Sequence, residues 1–125
     1  MSNHLHLAGR CEEPHRMSDF LRDFKKYTSS KELVAAIINT PESRKDWLLD
    51  KFSFEARRSG RAEHYKIWRD DNHAIDMSDI DIRSKLDYIH DNPVRSGIVE
   101  KSEDYLMSSG GDYAGRKGYV DLKVI

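Results

Sequence analysis

The sequence predicts a small α+β domain, mostly helical with a few short strands, and three observations carry that expectation. Apolar residues recur at three- and four-residue spacing in several separate stretches, the mark of amphipathic helices. Short alternating or aromatic runs at residues 4–9, 64–68 and 120–124 read as strands. A length of 125 residues suits one domain. The core must be modest, because 34% of the residues are charged and the mean hydropathy is −0.78.

The first strand is His4-Leu5-His6-Leu7-Ala8-Gly9, ended by Glu12-Glu13-Pro14. Ser18 is a good N-cap for a helix whose apolar stripe is Met17, Phe20, Leu21, Phe24 and Tyr27. Arg22, Lys25 and Lys26 fall toward its other side. Ser29 or Ser30 caps a second helix through Leu33, Val34, Ile37 and Ile38. Thr40-Pro41-Glu42 starts a third, with threonine as cap and proline at the first helical position. Trp47, Leu48, Phe52 and Phe54 form its apolar side, and Gly60 follows a basic end at Arg57 and Arg58.

Residues 64–68 form the aromatic strand, followed by the polar turn Arg69-Asp70-Asp71-Asn72. Asp79 or Asp81 caps a helix with Ile82, Leu86 and Ile89 as its buried stripe. Pro93 is expected to end it, since the residue before proline avoids helical geometry. A short helical turn opens at Ser102, Gly110-Gly111 breaks the chain, and Val120, Leu122 and Val124 alternate as a last strand.

Composition narrows the function classes. With 21 basic against 22 acidic residues, the whole chain does not advertise nucleic-acid binding, although a neutral total still permits local basic patches. Cys11 is the only cysteine, so no intrachain disulfide forms, and it reads as a small apolar residue in a reducing compartment. No apolar run is long enough to span a membrane and no signal-peptide pattern opens the chain. The expectation is a cytoplasmic protein with no membrane partner.

His4 and His6 flank one apolar residue, and in a strand their side chains share a face. Tyr88 and Asn92, four apart on the predicted helix, also share one. Together they would supply two imidazoles, an amide oxygen and a phenol. That is the equipment for metal-assisted attack by tyrosine on a phosphodiester. A tyrosine hydroxyl has a pKa near ~10 and needs such help at neutral pH. Taken singly, each residue has a plainer reading: polar surface for the histidines, packing for Tyr88, a turn before Pro93 for Asn92. His90 points elsewhere on the helix and reads either as a support behind the metal ligands or as structural, while His15, His64 and His73 read as surface.

The motifs resemble, in order and over essentially the whole chain, the HUH single-tyrosine transposases, in particular the REP-associated tyrosine transposase group. Ser2-Asn3-His4-Leu5-His6-Leu7 is similar to the family's metal-binding strand. Asp23-Phe24-Lys25-Lys26-Tyr27-Thr28-Ser29 is similar to its basic helix, and residues 68–75 to the segment before the nucleophile helix. Asp87-Tyr88-Ile89-His90-Asp91-Asn92-Pro93-Val94-Arg95-Ser96-Gly97-Ile98-Val99 is the most specific match. Tyr105, Ser108-Ser109 and Tyr113-Ala114-Gly115 follow in the expected order.

The resemblance implies that His4, His6 and Asn92 hold a divalent ion, Mg²⁺ or Mn²⁺. It implies that Tyr88 attacks single-stranded or hairpin DNA, leaving a 5′-phosphotyrosine and a free 3′-hydroxyl, in transposition or repeat-hairpin processing. Arg22, Lys25, Lys26, Tyr27 and Arg95 become DNA-contact candidates, and a nucleoid-associated place in the cell follows. It further implies a ferredoxin-like sandwich lacking the strand–helix–strand unit that normally precedes the metal-binding strand. Two strand edges would then seek partners, so the expectation is a fragment, a degenerate copy, or a domain completed by a second chain, in which case a strand-exchanged homodimer would repair the gap. Met107 and Gly110 stand where the family more often has an aromatic residue and alanine. The alternative is an inactive relic that serves as a DNA-binding or dimerisation module.

Overall fold

A computed structural model describes residues 4–123, apart from the side chains of Ser30 and Lys31. Ser2, Asn3 and Val124, and the cap expected of Ser30, lie outside the described residues. Two compact units divide the chain. One is made of Arg10–Ala74, and the other of the chain up to Gly9 together with the chain from Ile75 onward. No helix among the described residues is long and apolar enough to cross a membrane.

In the first unit, α1 runs over Met17–Tyr27, and the chain continues through a π-helical stretch, Thr28–Leu33, into α2, Val34–Asn39. No cap separates them. The Thr28 hydroxyl donates to the Phe24 carbonyl at 2.8 Å, which keeps it on the helix instead of ending one. It also accepts from the Trp68 indole N–H at 2.7 Å, and the Trp68 ring lies 5.8 Å from that of Phe24. The segment expected as the aromatic strand is therefore fastened to α1 by a side chain.

The expected helix start at Thr40-Pro41 is displaced. Helix α3 runs over Lys45–Ser59, preceded by a turn in which the Glu42 carboxylate accepts from the Arg44 backbone N–H at 3.1 Å. Ser18 likewise lies inside α1, whose N-cap is Arg16. Gly60 ends α3 as predicted: its φ of 63° is left-handed, and its N–H bonds to Ala56 at 3.0 Å. Ala56 is buried, while Trp47 and Phe54 are exposed, so the apolar side of α3 is narrower than its composition suggested.

In the second unit, the Asp81 carboxylate caps α4, Ile82–Arg95, by accepting from the Arg83 N–H at 3.1 Å. Leu86, His90 and Pro93 are buried and fix which side of α4 faces inward. Pro93 does not end the helix; it sits fully buried in the last turn. The end comes at Gly97, with φ at 69°. Its N–H bonds to Val94 and that of Ile98 to Pro93, both at 2.9 Å, the paired closure of a Schellman motif. Helix α4 packs against a 3₁₀ turn, Ser102–Asp104, which in turn packs against the one-turn α5, Gly110–Tyr113.

The fold class is therefore helical and not α+β. No strand and no sheet exist among the described residues, so neither a ferredoxin-like sandwich nor strands at residues 4–9, 64–68 and 120–123 are present. Alternation tells which side chains share a face. It does not supply a second backbone at ladder spacing to take the N–H and C=O groups. Around Trp68 the backbone bond formed is from Lys66 N–H to Phe52 of α3 at 3.0 Å, to a helix instead of a strand.

The close approach of α5 to the 3₁₀ turn gives a test. A Cβ on Gly110 would lie 2.7 Å from the Ser102 carbonyl oxygen, whereas one on Gly111 finds only ordinary contacts. Gly110→Ala should cost about 1–3 kcal/mol in urea denaturation. Gly111→Ala should be neutral or slightly stabilising, because alanine is the better helix former.

Candidate metal and nucleophile site

Helical periodicity determines what α4 offers. With Leu86, His90 and Pro93 inward, residues 88 and 92 lie on the outward side, one turn apart. Tyr88 is 50% exposed. Asn92 is half-buried on the next turn.

His4 and His6 meet them within the same unit. The two imidazole rings pack edge to face, with centroids 4.9 Å apart, so the shared face expected of a strand is present without a sheet. The His6 ring is 6.0 Å from that of Tyr88. His6 Nε2 and Asn92 Nδ2 approach to 3.4 Å. Which end of an amide points at a neighbour is an assignment, and a half-turn puts the Asn92 oxygen in the same place. Two ligands about 2.1 Å from one small divalent ion stand roughly 3 Å apart, so this spacing suits atoms that share an ion.

Burial, and next to it the charge of the His4 imidazole, hold the His6 pKa below the usual 6.5. The neutral ring is thereby favoured, the form in which an imidazole nitrogen can act as a ligand, and a proton competes for that nitrogen in acid. Two imidazole nitrogens and one amide oxygen fit a divalent ion that keeps its other positions for water or phosphate oxygens. Among the described residues no group of three His, Cys, Asp or Glu side chains is placed to hold a metal.

His90, read as structural, is buried, with Nε2 2.7 Å from the Ser109 hydroxyl and its ring 5.1 Å from that of Tyr113. It fastens α4 to the start of α5. The sequence marks Ser109 only as part of the Ser108-Ser109 motif, since nothing local shows that its partner is His90, nineteen residues away.

The DNA-contact candidates separate. Arg95 lies exposed in the last turn of α4, one turn beyond Asn92. Arg22, Lys25, Lys26 and Tyr27 all belong to α1 in the other unit. Arg22 pairs with Asp19 at 2.8 Å and Asp23 at 2.9 Å. Lys25 donates to the Arg69 carbonyl at 2.6 Å. Tyr27 is exposed and not in the core; its hydroxyl donates to Glu32 at 2.8 Å. That hydrogen bond and the carboxylate charge push its pKa up.

The buried His90–Ser109 bond predicts a cost. Ser109→Ala leaves an imidazole nitrogen buried with no hydroxyl beside it, and should lower stability by about 1–3 kcal/mol in chemical denaturation. A loss below roughly 0.5 kcal/mol would show that the bond does not hold α4 in place.

Compared with family models, curated proteins and solved structures, the chain matches none.

Proposed function

We propose that this chain is a metal-dependent, single-stranded DNA endonuclease and strand-transfer protein of the single-tyrosine transposase type, with Tyr88 as nucleophile. The observation that carries the reading is the convergence of His4, His6, Asn92 and Tyr88, residues more than eighty positions apart, on one patch of one unit. The order of motifs along the chain supports it independently.

His4, His6 and Asn92 would hold the divalent ion. Bound there, such an ion neutralises charge on the oxygens of the scissile phosphate. Tyr88 performs the bond exchange. Its oxygen bonds to phosphorus as the bond from phosphorus to the 3′-oxygen breaks. The phenol gives up its proton, and the departing 3′-oxygen takes one. The products are a 5′-phosphotyrosine and a free 3′-hydroxyl. Since a phosphodiester is kept throughout, the 3′-hydroxyl of another strand reverses the exchange and joins without ATP.

Half-exposure of Tyr88 supports access by an unpaired strand, in which the phosphate is free to approach the phenol. Arg95 extends the same side of α4 as a phosphate contact. Lys25, Lys26, Arg22 and Tyr27 are secondary DNA-contact candidates in this reading, because α1 already engages several of them locally. A homodimer belongs to the proposal as well, with exposed Leu5 and Leu7 beside the histidines as the surface a second copy would cover. The setting is cytoplasmic and nucleoid-associated.

The test is incubation with single-stranded hairpin DNA and Mn²⁺, followed by a denaturing gel. The expected result is a protein–DNA adduct in the unmodified chain and none in Tyr88→Phe. His6→Ala should reduce the adduct roughly tenfold or more. An adduct that persists in Tyr88→Phe overturns the assignment, and no adduct in the unmodified chain favours the inactive, DNA-binding alternative.

A further inference from the structure

We infer that Lys85 is a phosphate-positioning residue for the DNA strand at Tyr88, acting on the opposite side of the nucleophile from Arg95. The inference rests on the reading of Tyr88 as a DNA nucleophile.

Register places it there. At about 100° per residue, Lys85, Tyr88, Asn92 and Arg95 fall within an arc of about 80° on α4. The buried stripe of Leu86, His90 and Pro93 is centred well away from that arc. Lys85 lies one turn before Tyr88 and Arg95 two turns after it. The two cations are ten positions apart, which is about 15 Å along the axis. A strand cleaved at Tyr88 carries phosphates on both sides of the scissile one. Holding it for in-line attack needs charge on both sides.

Several cations of the chain are already neutralised by a carboxylate. Arg22, Arg44, Arg58, Arg61, Lys66 and Arg69 each sit against a carboxylate. Among the described residues, Lys85 and Arg95 form no ion pair, a state they share with Arg83, so it is register that singles them out; Asp81 and Asp91 lie on neighbouring turns. The Asp81 carboxylate is occupied as the helix cap, accepting from the Arg83 N–H. Lys85 is half-buried, and its charge has no described counter-ion. A phosphate is a suitable counter-ion for a point charge so placed.

The test measures binding apart from cleavage. Single-stranded hairpin DNA is titrated against the Tyr88→Phe chain with Mn²⁺ at several salt concentrations, with affinity read by fluorescence anisotropy. Adding Lys85→Gln should weaken binding several-fold and flatten the log–log salt slope by about 0.7, the value of one lost single-strand phosphate contact. Lys85→Arg should restore the slope. Arg83→Gln, about 140° around the helix from Tyr88, should leave it unchanged. Equal slopes for Lys85→Gln and Arg83→Gln, with the parent binding normally, overturn the role of Lys85 alone. If the Tyr88→Phe parent does not bind single-stranded DNA, the nucleophile reading falls and takes this inference with it.

Discussion

Helical register along α4 is the constraint on which the site depends. Leu86, His90 and Pro93 must face inward, and a helix that satisfies them has no freedom left for Tyr88 and Asn92, which emerge together on the other side. The two ends of α4 secure that rotation. Asp81 caps the first turn, and the paired bonds at Gly97 and Ile98 close the last. Between them, the His90–Ser109 bond ties the inward face to the next part of the unit.

Pro93 shows how a strong local rule yields to packing. Proline lacks an N–H and disfavours helical geometry before it, so the sequence reads as a stop. In the last turn the cost is a single backbone hydrogen bond. Full burial of the ring offsets it, and Gly97, free to take a positive φ, performs the actual stop. The consequence is functional. Because α4 continues past residue 93, Asn92 keeps helical geometry and its side chain stays one turn from Tyr88.

The parts of the molecule that depend on neighbours in the chain were legible from sequence. Asp81, Gly60 and the spacing of Tyr88 and Asn92 work through local geometry that residue types announce. The pairing of His4 with His6 survived as well, because a short run with two similar side chains keeps them near each other in many backbones. What failed were the features set by distant partners. A strand needs another strand, and the segments at 4–9 and 64–68 found other fates: the latter is fastened to α1 and α3 through Thr28 and Phe52. Ser29 and Thr40 looked like caps, but Thr28 turned its hydroxyl back along the helix and Glu42 supplied the turn.

Two histidines and an amide, brought beside a half-exposed phenol, are the core of the account. The proposal that they share one ion can be tested directly. Imidazole proton resonances of the chain are followed by NMR while Mn²⁺ is added well below one equivalent. Signals of His4 and His6 should broaden first, with those of His15, His64 and His73 intact, and Asn92→Ala should require more ion for the same effect. Uniform broadening of all the histidines, or early loss of any other before His4 and His6, would contradict the site.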